Sequence, residues 1–186
     1  MQAFLWWRID TADRDLRLIE QAGFTWVKQN VAWRGLEGIE RGHFDWWFTD
    51  HVVEQAEGYG LQILFRLDGV PAPDWVEMPD NPSLPAHPDD FGHFCAAVAE
   101  RYRGRVRAYQ VWNEPNLTRE WGGAPPDPRG YVQLLRACYV AIKEADPAAA
   151  VISAGLAPTG TGLPEALPDT EYLVEMYEAG AAPYFD

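Results

Sequence analysis

Short β-like runs alternate with helical patterns along the whole of this chain, and that alternation is what most restricts its fold. Repeated strand-then-helix units build a parallel sheet, because a parallel neighbour needs a crossover long enough to hold a helix. Phe4 to Arg8 reads as a first strand, Thr25 to Val31 as a second and Leu61 to Leu67 as a third. Val106 to Trp112 reads as a fourth and Ala150 to Ala154 as a fifth, with Tyr184 to Asp186 opening a sixth. Between them, Asp13 to Ala22 carries Leu16 and Ile19 on one face, and Phe48, Val52, Ala56 and Tyr59 follow at helical spacing. Pro88 suits a helix first turn, and Phe91, Phe94, Cys95, Val98 and Tyr102 continue the stripe until Gly104. A further helix follows Pro128 through Tyr131, Leu134, Leu135, Cys138 and Ile142, and a last one spans Thr170 to Ala179.

The connections are asymmetric. Helix-to-strand turns are tight and centred on Gly23, Gly60 and Gly104, whereas strand-to-helix loops are long and rich in Pro and Gly. In (β/α)8 barrels the strand-to-helix loops build the functional face, so the long loops are where function is expected. A doubly wound nucleotide-binding sheet shares the alternation, but it needs a glycine-rich phosphate turn after the first strand, and Arg8-Ile9-Asp10-Thr11 is not one. The expected fold is therefore α/β, a partial (β/α)8 TIM barrel. A complete barrel takes about 250 residues, so the 186 residues correspond to strands one to five and the start of six. Residues 1–186 are read as the N-terminal part of a single barrel domain. Its first and last strands would then be open parallel edges, which invite pairing with another chain.

Acidic residues number 28 against 15 Lys plus Arg, a net charge of -13, which repels phosphate backbones and anionic lipid. Neither nucleic acid nor a membrane surface is an expected partner. The apolar start, Met1 to Arg8, lacks a basic n-region, a long h-region and a cleavage site, and no apolar run reaches membrane-spanning length. Cys95 and Cys138 each fall in an apolar helical stripe and read as buried thiols rather than a disulfide or metal pair. His43, His51, His87 and His93 show no metal-ligand spacing, so neither metal nor cofactor is expected.

The densest chemical signal is Val111-Trp112-Asn113-Glu114-Pro115-Asn116 at the end of the fourth strand. Pro115 ends the strand, so the Glu114 carboxyl would project from the rim of the barrel mouth. Trp112, two residues earlier and so of the same strand parity, and Trp121 in the loop are expected to supply apolar surroundings that raise a carboxyl pKa. Asn113 offers a donor and an acceptor for a sugar hydroxyl. An Asn-Glu pair alone would be an ordinary strand-ending turn, but the whole hexapeptide resembles the acid/base signature of glycoside hydrolase clan A, the barrel glycosidases that include families 5 and 39.

The resemblance extends, at the level of strand order, over essentially the whole chain. Gly23 to Trp33 looks like the clan's second strand, Tyr59 to Gly69 like its third, and Phe94 to Tyr109 like the run into the acid/base strand. It implies a retaining glycosidase acting on O-glycosyl bonds of a β-linked glycan or glycoside, with an oligosaccharide or glycoside as partner and Glu114 as acid/base. The clan's nucleophile, a second glutamate near the end of strand seven, has no counterpart in this chain, so the chain alone is expected to be inactive. Lys28 stands where family 5 relatives usually carry an arginine, and Asp68 where they often carry a histidine; a family 39-like or unassigned branch is as open as family 5. Lys28, Arg66 and Asp68 are candidate substrate-side residues, although Arg66 and Asp68 equally suit a structural ion pair in the barrel core. Trp7, Trp33, Trp75 and Trp121 follow or end strands, where each is either loop packing or a platform for a sugar ring. An inverting enzyme with Asp68 as base and a non-catalytic carbohydrate-binding or structural barrel remnant are the competing readings.

Overall fold

The structure, a computed structural model, describes residues 1–70, 84–85 and 87–186, apart from the Trp7 side chain. Five parallel strands form one sheet in the order β1 (Gln2–Ala3), β2 (Trp26–Ala32), β3 (Gln62–Asp68), β4 (Val106–Val111) and β5 (Ala150–Ile152). Spatial order follows chain order without reversal. A doubly wound sheet reverses at its switch point, so this order is that of a barrel wall. The helices are α1 (Ile9–Gln21), the short α2 (Trp33–Leu36), α3 (Trp47–Gly58), α4 (Pro88–Arg101), α5 (Pro128–Ala145) and α6 (Asp169–Glu178). No helix among the described residues is long and apolar enough to cross a membrane.

Strand alternation gives the sheet two unlike faces. Val27, Val31, Ile63, Phe65 and Leu67 are buried under the helices, where the Phe65 ring meets Tyr102 edge-on at 5.5 Å. Lys28, Asn30, Ala32, Leu64, Arg66 and Asp68 take the opposite parity and are only half-buried. Register aligns Asn30, Arg66 and Gln110 in one row and Ala32 with Asp68 in the next. Each row thus brings polar groups from successive strands onto the inner face.

The glycine stops work as expected. Gly23 and Gly60 both have left-handed φ, and the bonds from Phe24 N to Ile19 O (3.2 Å) and from Leu61 N to Ala56 O (3.0 Å) close the six-residue turn that satisfies a helix's last carbonyls. The chain then drops directly into the next strand.

Three expectations need correction. The first strand is Gln2–Ala3, and Trp6–Arg8 is a 3-10 turn rather than strand. The buried Gln29 side chain explains it: its Oε1 accepts from Leu5 N at 2.8 Å, so a side chain on β2 takes the bond that a longer β1 would have made. Tyr184 belongs to a 3-10 turn, Ala182–Tyr184, so the extended backbone expected from it begins only at Phe185. Asp186 then lies against β5, donating its N–H to Val151 O (2.9 Å) and accepting from Val151 N with its carboxylate (2.8 Å).

Finally, Cys95 and Cys138 form a disulfide, with Cα atoms 5.4 Å apart. Gly92 makes it reachable, because a Cβ there would sit 3.2 Å from Ala137 O. Without that Cβ, α4 and α5 approach closely, and Cys95, about one turn beyond Gly92, meets Cys138, the residue after Ala137.

Candidate active site

The end of β4 is held from the helix layer. Tyr131 on α5, fully buried, donates its hydroxyl proton to Val111 O (3.0 Å) and accepts from Ala154 N (2.6 Å), tying the ends of β4 and β5 together. Immediately afterwards Trp112 (φ 69°) and Glu114 (φ 40°) take left-handed backbone, the described non-glycine residues with positive φ. Such conformations cost about 1 to 3 kcal/mol each and persist where the surroundings over-determine them.

This turn overrides strand parity. The Trp112 indole is 4% exposed, edge-on to Phe91 (5.8 Å) and Trp121 (6.0 Å), and its Nε1 donates to Glu120 O at 3.0 Å. Trp112 therefore packs into the helix layer, and its expected place beside Glu114 by alternation is wrong, because the strand has already ended at Val111. Trp121, also 4% exposed, is the other half of that packing and not a platform open to solvent. Trp33 is likewise core. It is 2% exposed, stacked on Phe94 at 5.4 Å, with its Nε1 donating to Glu37 at 2.6 Å. Trp33 buries against Phe91 and Phe94 of α4, Trp112 against Phe91, and Trp121 packs in turn on Trp112. Trp75 lies outside the described residues, as does the Trp7 side chain.

Glu114 is half-buried at the C-terminal end of β4, beside the half-buried Asn113. Its N–H donates to Gly155 O (3.0 Å), and its carboxylate accepts from Arg119 at 3.1 Å, an ion pair whose arginine is well exposed. Exposed pairs of this kind are worth about 0 to 1 kcal/mol.

The inner face carries a connected polar layer. Lys28 Nζ donates to Gln110 Oε1 at 2.6 Å, and Gln110 Nε2 donates to Trp112 O at 2.7 Å, so a strand-two cation reaches the carbonyl that starts the Glu114 turn. Arg66 Nε lies 2.8 Å from Asp68 Oδ2 and 3.3 Å from Asn30 Oδ1. The arginine and aspartate side chains are 15% and 16% exposed, so the ion pair exists and is largely withdrawn from water. Burial pushes the Asp68 carboxyl up to about 6, against the opposing pull of Arg66. Burial and the like charge of Arg66 lower the Lys28 ammonium, while Asp68 and Glu114 oppose that shift, which puts both carboxylates within electrostatic reach of Lys28. Lys28, Arg66 and Asp68 thus share the inner face of the sheet. Asn30 and Gln110 were not singled out from sequence, although their even spacing from Lys28 and from Ala108 puts them on the same face.

Among the described residues no cluster of His, Cys, Asp and Glu is gathered as for a metal ion. His51 stacks on Trp47 at 5.8 Å.

Residues 3–89 match the family model of glycoside hydrolase family 42, described as beta-galactosidase. No curated protein matches the sequence. Among solved structures, a family 39 glycoside hydrolase from Bacteroides cellulosilyticus superposes with a TM-score of 0.74 at 23% identity, over 93% of this chain and 34% of that one. An exo-beta-1,4-mannosidase from an Opitutaceae bacterium gives a TM-score of 0.63 at 20% identity, over 80% of this chain and 28% of that one. An endoglucanase from Thermotoga maritima gives 0.56 at 21%, over 76% and 44%. At these identities the likeness is one of fold, and this chain spans less than half the length of each. The family model and the shared partial barrel together bear out the resemblance to the clan A glycoside hydrolases.

Proposed function

We propose that this chain is the N-terminal part of a retaining clan A glycosidase, cleaving O-glycosyl bonds of a β-linked glycan or glycoside with Glu114 as acid/base. The observation that carries the reading is the position of Glu114. It stands on a left-handed turn at the C-terminal end of the fourth strand of a barrel wall, with Lys28 of the half-buried inner polar layer within reach of its charge.

Glycoside cleavage needs one carboxyl group that first gives a proton to the leaving oxygen and then takes one from water. Glu114 suits both steps, because its carboxylate is half-buried and not locked into a buried ion pair. In the first step the anomeric carbon–oxygen bond breaks, a second carboxylate forms a bond to the anomeric carbon, and the Glu114 proton passes to the departing alcohol. In the second, water replaces the enzyme carboxylate and its proton returns to Glu114. That second carboxylate is assigned to a later barrel strand outside this chain. Asn113, Lys28, Arg66 and Asp68 would hold sugar hydroxyls, with Asn113 nearest the reacting centre.

The test is the full-length protein assayed on aryl β-glycosides with Glu114→Gln. The variant's kcat/KM should collapse on poor leaving groups and persist on activated ones, on which azide, attacking in place of water without needing a base, restores turnover. Unchanged activity on every substrate removes the assignment.

A further inference from the structure

We infer that Asn116 is a positioning residue for Glu114, a clip that fastens the turn bearing the acid/base to the loop between β5 and α6; the inference rests on the role proposed above for Glu114. Asn116 is a loop residue, yet it is fully buried. A primary amide goes there only if its polar atoms are matched, and each is. Oδ1 accepts from Ala157 N at 2.9 Å, and Nδ2 donates to Ala157 O (2.9 Å) and Leu167 O (3.1 Å). The amide thus acts toward Ala157 as a strand neighbour would, taking both its N–H and its carbonyl.

Backbone bonds flank the clip on both sides. Glu114 N donates to Gly155 O at 3.0 Å, Leu167 N to Asn116 O at 2.9 Å and Thr118 N to Glu165 O at 2.9 Å, while Leu117 forms an antiparallel bridge with Ala166. These contacts begin where the β4 ladder ends, and they hold a segment containing a left-handed Glu114. A left-handed glutamate relaxes toward ordinary φ unless both flanks are fixed. Tyr131 fixes the flank before it through Val111 O and Ala154 N, and Asn116 fixes the flank after it. Only an amide of this length meets all three partners, since aspartate would set an oxygen against two carbonyl oxygens, and alanine would leave the N–H and carbonyl of the buried Ala157 without their side-chain partner.

In the full-length enzyme, Asn116→Ala and Asn116→Asp are compared with wild type and Glu114→Gln on aryl β-glycosides of graded leaving-group acidity, each rate normalised to folded protein by circular dichroism and active-site titration. A displaced acid delivers its proton poorly. The expected result is a kcat/KM, which reports the bond-breaking first step alone, reduced about 10- to 100-fold on poor leaving groups and narrowing to a few-fold on activated ones that need no proton. A loss per folded molecule that is equal across the series, or no loss, overturns the inference, because a merely stabilising residue gives one or the other. Should Asn116→Ala fail to fold, Asn116→Asp, which keeps the bond to Ala157 N, decides by the same comparison. If Glu114→Gln itself shows no dependence on the leaving group, the acid/base assignment falls and the clip with it. A normal dependence in Glu114→Gln beside a flat loss in Asn116→Ala removes the clip alone.

Discussion

Arg66 and Asp68 form an ion pair along a single strand, guanidinium Nε to carboxylate Oδ2 at 2.8 Å, with both side chains drawn back from water. Burial wins over the arginine, and the Asp68 carboxyl is held at about 6 against an ordinary 3.8. A carboxyl with that raised value binds its proton more tightly in the folded state. Protonated Asp68 therefore adds stability at low pH, and that contribution is lost as pH rises from about 4 through about 6. It amounts to something on the order of 2 to 3 kcal/mol. Urea unfolding of wild type and Asp68→Asn from pH 4 to 7 should show the wild-type curve falling relative to the variant across that window. Parallel curves would show that Asp68 does not titrate there.

The disulfide between α4 and α5 spans 43 positions of sequence. Closing a loop of that size stabilises a fold by about 2 to 4 kcal/mol, chiefly by constraining the unfolded chain. Thiol titration of the purified protein in denaturant without reductant should find no free thiol. Adding reductant, or the pair Cys95→Ser and Cys138→Ser, should lower the unfolding midpoint by a matching amount.

Left-handed backbone at Glu114 reverses an ordinary preference. Glycine is normally less favourable than alanine, but at positive φ it avoids the Cβ clash. Glu114→Gly is expected to be more stable than Glu114→Ala by about 1 kcal/mol, read as a difference in thermal unfolding. An alanine variant equal to or better than the glycine variant would contradict the turn geometry.

Trp33 belongs to the packing between α2 and α4, against Phe91 and Phe94. Trp33→Ala should cost about 3 to 5 kcal/mol in unfolding free energy. Trp33→Phe should retain most of the stability, and in the full-length protein it should bind oligosaccharide with wild-type affinity by calorimetry. An affinity loss in that stable variant would return Trp33 to the sugar site.

Strand order was legible from sequence because α1, α3 and α4 each run out at a left-handed glycine, Gly23, Gly60 and Gly104, and because the buried apolar positions Val27, Val31, Ile63, Phe65 and Leu67 recur at even spacing along their strands. The polar layer was half legible. Lys28, Arg66 and Asp68 stand out as charges inside strands, whereas Asn30 and Gln110 are neutral amides whose partners lie on other strands. What escaped depends on contacts distant in sequence. Nothing near Phe4 says that Gln29 will take the Leu5 N–H, and nothing near Cys95 says that Gly92 will let α5 come close. The inward turn of Trp112 escaped because alternation assumes a strand, and a left-handed residue ends one.

The amide of Asn116 makes two loops into one part. The loop after β4 and the loop after β5 are far apart in sequence and would be natural units to exchange when grafting a new specificity onto this scaffold. They are not separable modules. A chimera that imports either alone severs the bonds to Ala157 and Leu167 and releases the turn at Glu114, whereas one that imports both together, as a matched cassette, carries its own scaffolding with it.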